Sequence, residues 1–160
     1  MRRVLWTREV AAADYAGPGE KYHGAILEQY KIYVEMADRV SARRGLTNTY
    51  FVTLNTLIPT VIGLFWRGRA ELAAWQLTIP LAALLLQCTA WFLLLRSYRR
   101  LNTIKYAVIG ALEERLPASP YWRAEWSDPS RHRPLTSFEQ WIPVSFALLY
   151  LAAFLAELLR

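Results

Sequence analysis

The sequence predicts an all-α membrane protein with three transmembrane helices, the first two extended into a cytoplasmic helical hairpin. Three observations predict it. Of 160 residues, 54% are hydrophobic, above the roughly 45–50% of a soluble domain. The excess is gathered into blocks at residues 47–66, 72–96 and 141–159, each close to the roughly 20 residues that a helix needs to cross a hydrocarbon core of about 30 Å. Lysine and arginine crowd the segment before the first block and the long connection after the second, whereas the short RGRAE turn carries only Arg67 and Arg69.

Residues 1–23 read as an N-terminal cytoplasmic segment ending in the breaker YAGPGEKYHG. The apolar run after MRR is too short for the core of a signal peptide, and acidic Glu9 and Asp14 soon follow, so no cleavable leader is expected. Residues 24–46 form an amphipathic helix. Ile26, Tyr30, Tyr33, Ala37 and Val40 recur at helical spacing, with Glu28, Lys31, Glu35, Asp38 and Arg39 largely off that stripe. Gly45 is the one weak point before the first hydrophobic block, and its helix penalty is only about 1 kcal/mol. A nearly unbroken helix from Ala25 to Trp66, roughly 60 Å long, follows.

The first span, 47–66, opens with TNTYFVTLNTLIPT. Thr49, Thr53, Thr56 and Thr60 are spaced four, three and four apart and so stack on one side of a helix. Asn48 and Asn55, seven apart, are read as lying beside that row. Amides in hydrocarbon are rarely left facing lipid. The polar stripe therefore serves as glue between helices, as the lining of an aqueous path around a symmetry axis, or as a small-ligand site, and the sequence leaves all three open. It also lowers the hydropathy of this block, for which a buried hairpin helix of a soluble protein is the alternative. Pro59 frees a backbone carbonyl near residue 55, which a neighbouring hydroxyl or amide can satisfy.

The second span, 72–96, contains LTIPLAALLLQCTAWFLLL, which carries no formal charge. Gln76 and Gln87 suit packing against another helix, and Cys88 is a lone cysteine that forms no intrachain disulfide and reads as a small packing residue. The helix continues into residues 97–140, where Leu101, Ile104, Val108, Leu112 and Leu116 keep helical spacing until Pro117 and Pro120 end it. The rest of that segment is a Pro/Trp-rich loop expected to wrap the hairpin. The third span, 141–159, shows a small-residue face at Ser145, Ala152 and Ala156. Its Glu157 snorkels outward, pairs with Arg160, or belongs to an ion path. Trp66, Trp75, Tyr98 and Trp141 fall where interfacial aromatic belts occur.

The positive-inside rule places the N-terminus and residues 97–140 in the cytoplasm and the C-terminus on the outer side of the membrane. The net charge of +6 is mostly topological. Many arginines sit at helix ends, where they reach lipid headgroups, so the expected partners are membrane lipids and copies of the same chain, with no nucleic acid. Tyr22, Tyr30 and Tyr33 are more aromatic surface than one hairpin partner needs, and Tyr30, Tyr33 and Ala37 are the candidate oligomer contacts.

Nothing points to catalysis. His23 and His132 lie far apart with no HExxH-like spacing, and no GxGxxG, GxxxxGK[ST] or GxSxG segment occurs. Adjacent Glu113 and Glu114 diverge by about 100° on a helix. No enzyme, cofactor or metal site is expected, and no midmembrane acid, base or histidine supplies the proton relay of a pump.

Two stretches carry a resemblance. EQYKIYVEMADRVSARRGLTNTYFVTLNTLI, with LNTIKYAVIGALEERLPASPYWRAEW at the far end of the hairpin, resembles the RipA-type family of small octameric bacterial inner-membrane proteins. These stretches cover about a third of the chain. The resemblance implies a homo-octamer, and no family catalytic motif accompanies it. A looser similarity runs to two-helix membrane effectors of anti-phage immunity, which commonly lack a third span. The leading expectation is a non-enzymatic homo-oligomeric inner-membrane assembly supporting envelope or stress physiology and enclosing a pore or a lipid-filled space. A membrane-perturbing immune effector is the alternative, and a small transporter comes third.

Overall fold

The computed structural model describes residues 20–67, 74–116 and 138–159. The N-terminal segment to residue 19, the turn at 68–73, the Pro/Trp-rich stretch 117–137 and Arg160 lie outside the described residues, as do the side chains of Trp66 and Trp75. The elements are α1 (Glu20–Trp66), α2 (Ala74–Glu113) and α3 (Trp141–Leu158). All regular structure among the described residues is helical.

Helix α1 runs without interruption through both of its sequence weak points, Gly45 and Pro59. It starts at Glu20, inside the expected breaker, because an acid in the first turn complements the exposed N–H groups there. Helix α2 stops at Glu113, four residues before Pro117. The Arg115 and Leu116 amides donate to the Leu112 and Glu113 carbonyls at 3.0 Å. That i to i+3 tightening closes the helix before the proline, which disfavours helical geometry at the residue preceding it.

The chain divides into two compact units. In the first, comprising residues 1–42 and 100–133, the described parts of α1 and α2 bury Ile26, Ala37, Ile109 and Leu112. Tyr30 donates its hydroxyl to Glu113 Oε1 at 3.1 Å, Lys105 Nζ donates to the Met36 carbonyl at 3.2 Å, and Arg115 Nη1 donates to the Tyr22 hydroxyl at 3.2 Å. These pairings run antiparallel. The Tyr30 bond gives the buried Glu113 carboxylate a donor, which a charge withdrawn from water requires.

The second unit comprises residues 43–99 and 134–160. Here Leu84, Cys88 and Tyr150 form the core, with Ile58, Leu81, Phe146 and Ala147 packed on it. Trp91 and Leu95 are buried beside them. Many other apolar side chains point outward, among them Leu57, Leu64, Leu86, Leu93, Leu148 and Leu155.

Among the described residues, two helices are long and apolar enough to cross a membrane. They are α2 from Gln76, with a mean hydropathy of 1.9 and 17% of its most apolar window buried, and α3, with 1.8 and 11%. A core helix of a soluble protein would be mostly buried, and these are not. Where three spans were expected, length and composition single out two. The threonines and asparagines of α1 lower its hydropathy, and it is not one of the two.

Candidate functional site

The polar residues of α1 do not form one stripe. Asn55 is 2% exposed and Asn48 half-buried, whereas Thr49, Thr53, Thr56 and Thr60 are exposed. At about 100° per residue the two asparagines sit roughly 120° around the helix from the centre of the threonine row. They face the other helices of their unit and are not beside the threonines, as the spacing had suggested.

The asparagine face closes a polar junction between three helices. Asn48 Oδ1 accepts the indole N–H of Trp91 at 3.0 Å, giving that fully buried ring the acceptor that a buried indole needs. Phe51, on the same face of α1, stacks on Trp91 with centroids 5.5 Å apart and planes 5° from parallel. Two turns after Asn48, Asn55 joins α2 and α3. The Tyr150 hydroxyl proton is shared between two acceptors of Asn55, the backbone carbonyl at 2.8 Å and Oδ1 at 2.9 Å. The Cys88 thiol donates to the same Oδ1 at 3.4 Å, and Nδ2 donates to the Phe51 carbonyl at 2.8 Å. This pattern fixes the amide's orientation, since a flipped side chain would set its NH2 against two donors.

Pro59 explains why Tyr150 is needed. A proline has no N–H, so the carbonyl four residues earlier, that of Asn55, loses its helical partner. The tyrosine hydroxyl of α3 takes that place. The proline's freed carbonyl was visible in the sequence and so was the demand for a donor. Its supplier, 95 residues away, was not. Trp91, Phe146 and Tyr150, which the sequence analysis did not single out, form a chain of rings with neighbouring centroids 6.1 Å apart.

The threonine face behaves differently. Thr49, Thr53, Thr56 and Thr60 donate to the carbonyls of Gly45, Thr49, Val52 and Thr56, four residues back, at 2.7–3.2 Å. Each proton is spent inside α1, and the face presents methyl groups and oxygen lone pairs. Gly45 and Gly63 lie at either end of the row, and a Cβ added at either would meet nothing within 4 Å. The surface is small, shallow and uncovered in the protomer.

Of the candidate oligomer contacts, Ala37 is 2% exposed and Tyr30 is engaged with Glu113. Both are committed within their own unit, because the stripe that carries them is the one packed on α2. Tyr33 is half-buried. Among the described residues no group of three or more His, Cys, Asp or Glu side chains converges to hold a metal ion.

Two apolar grooves are lined by described residues of the second unit. One, of about 330 Å³, opens where Pro59 of α1 and Pro80 of α2 face Tyr150, Ala153 and Glu157 of α3. The other, of about 230 Å³, lies between α2 and α3, lined by Cys88, Thr89, Phe92, Pro143, Val144, Ala147 and Leu148.

A model of the octameric membrane protein family (8xMP) matches residues 27–159. The chain belongs to that family. No curated protein and no solved structure matches it. The match upholds the resemblance drawn from the hairpin stretches, and it extends through α3 nearly to the C-terminus. As a member of the octameric membrane protein family, the chain is a homo-oligomeric membrane protein, and the family's description names an assembly rather than an enzymatic activity.

Proposed function

We propose that eight copies of the chain form a non-enzymatic assembly in the bacterial inner membrane, with the threonine faces of α1 packed between copies around a central pore or lipid-filled space. In this reading residues 47–66 are a third span beside α2 and α3. The N-terminus and residues 97–140 are cytoplasmic and the C-terminus periplasmic, as the lysine and arginine distribution favours. The assembly serves envelope or stress physiology as a structural unit.

One observation carries the reading. In a family whose assembly is octameric, the residues of α1 best suited to close helix contact are those the protomer leaves uncovered. Association of helices in lipid depends on close packing of small residues more than on hydrophobic gain. Threonines that have spent their protons on their own helix can approach another backbone without stranding a donor.

Cysteine chemistry in a Cys88→Ala background tests it. Thr56→Cys should form disulfide-linked dimers on mild oxidation of membranes, whereas Leu93→Cys, on the outward face of α2, should not. Aqueous thiol reagents should label Thr53→Cys and Thr60→Cys in preference to Leu57→Cys if the enclosed space is wet, and none of the three if it holds lipid. Failure of Thr56→Cys to cross-link, together with protection of all three α1 positions, would put the threonine face on bulk lipid and end the proposal.

A further inference from the structure

We propose that Gln87 of α2 donates its amide N–H to the Thr56 hydroxyl of the adjacent copy, so that the threonine face of one subunit seats against the Gln87 side of the next. The inference deepens the assembly proposed above and rests on its packing of threonine faces between copies.

Gln87 is a donor with no acceptor in its own subunit. Its Nε2 is enclosed and finds no hydrogen-bond partner among the described residues. It lies roughly 16 Å along α2 from Gln76 and about 14 Å from Arg96, near the middle of the span and far from headgroups. An unpaired N–H at that depth is costly. The side chain as a whole is half-buried, and its terminal torsion is broad and two-fold. A half-turn brings the NH2 group outward and leaves the carbonyl inside, the group that better tolerates incomplete bonding. Exposed Ala83 and Ala90 lie one turn to either side, where small residues let another backbone come close.

Thr56 offers the matching acceptor. Its proton is shared between the Val52 and Thr53 carbonyls of its own helix at 3.1 and 2.9 Å, and the exposed hydroxyl oxygen keeps lone-pair capacity. Depth agrees as well. Asn55 meets Cys88 and Asn48 meets Trp91, so α1 and α2 run antiparallel with Thr56 level with Gln87. Copies that cross the membrane in one orientation are related by an axis along its normal, which holds each residue at a single depth in all of them. The two groups also occupy different sides of the protomer, as a ring of head-to-tail contacts requires. Gly63 continues the threonine row and, with Pro59, lines the groove against α3. Gln87 points about 140–160° away from Phe92 and Thr89, which line the other groove against α3. One copy therefore supplies the acceptor and its neighbour the donor.

Two measurements test the pairing. Gln87→Leu removes the donor at similar volume. Inside a lone protomer that change deletes an unpaired polar group and would be neutral or stabilising. The proposal requires the opposite, an octamer that dissociates more readily on dilution in detergent, by about 3- to 30-fold per interface for one hydrogen bond between helices in lipid. Native mass spectrometry reads the loss. Thr56→Val, which removes the acceptor, should weaken the octamer similarly, and the double variant no more than either alone. The second measurement is cross-linking in a Cys88→Ala background. Thr56→Cys with Gln87→Cys in one chain should give, on mild oxidation of membranes, a ladder running past dimers to the octamer, because each copy then links to both neighbours. Thr56→Cys alone, through cysteines that meet around the inner rim of the ring, joins copies only in pairs. Thr56→Cys with Thr89→Cys, at nearly the same depth on the far side of α2, should also stop at pairs. An octamer unweakened by Gln87→Leu, additive losses in the double variant, or a ladder that ends at dimers would overturn the proposal. If Thr56→Cys dimers persist in that case, threonine faces meet each other and the assembly reading stands; their loss as well would remove that reading too.

Discussion

Asn55 satisfies three partners with one side chain, and the cost of disturbing it separates into terms that can be measured. Tyr150→Phe removes a hydroxyl that serves both the amide oxygen and the carbonyl orphaned by Pro59. An interhelical bond in a membrane contributes about 0.6–2 kcal/mol, and leaving a buried acceptor unpaired adds to that. Tyr150→Phe should therefore destabilise the protein by about 1–3 kcal/mol in reversible detergent unfolding. The carbonyl's share can be isolated, because Pro59→Ala restores an N–H at position 59 that can pair with the Asn55 carbonyl within α1. In that background Tyr150→Phe should cost measurably less, and the cycle should show coupling of at least about 0.5 kcal/mol. Strictly additive effects would mean that the tyrosine acts on the amide alone. Much of this junction was legible in the sequence, since Asn55 and Pro59 announce a buried amide and an orphaned acceptor. The donor was not legible, because Tyr150 sits in a helix whose pattern is apolar all round and so gives no period to tell which face is inward.

At the scale of a helix, α1 reconciles two requirements on opposite sides. Its asparagine face holds α2 and α3 through buried bonds, and its threonine face keeps its polarity inside the helix. The threonine row and the run through Gly45 were both readable from spacing, because periodicity survives any tertiary context. Which side each row faces was not readable, since burial depends on where α2 and α3 lie. Gly45 gives a test of what meets the threonine face. A Cβ there meets nothing within 4 Å in the protomer, and replacing a mid-helix glycine by alanine stabilises a helix by about 0.5–1 kcal/mol. Gly45→Ala should raise the thermal midpoint of helix loss, followed by circular dichroism, while weakening the octamer if a neighbouring backbone approaches that glycine. A lowered midpoint with the octamer intact would show that the glycine is needed inside the protomer instead.

At the scale of the whole assembly, two of the three candidate contacts are already engaged within the first unit, and Tyr33 is the one left half-buried. Tyr30 is bonded to the buried Glu113, and Ala37 is enclosed between α1 and α2. The apolar stripe was correctly legible as a packing surface, but a single sequence does not say whether the partner is the next helix of the same chain or the same helix of the next chain. One surface open to another copy is the outer side of α1, where Ile32 is 53% exposed and Leu27 42%, with half-buried Tyr33. Both isoleucine and leucine there lie among the exposed pairs Lys31–Glu28 and Arg39–Glu35, which contribute little to stability on their own but can fix register between copies. Ile32→Asp with Tyr33→Asp should therefore lower the mass of the solubilised particle below that of an octamer while helix content is kept. Tyr30→Phe, which removes one bond to Glu113 and no apolar surface, should leave the octamer whole and lower only its unfolding midpoint. If Tyr30→Phe splits the particle while Ile32→Asp with Tyr33→Asp does not, subunits are joined through the inner stripe, and the pairing of α1 with α2 in the first unit would have to form between neighbouring chains.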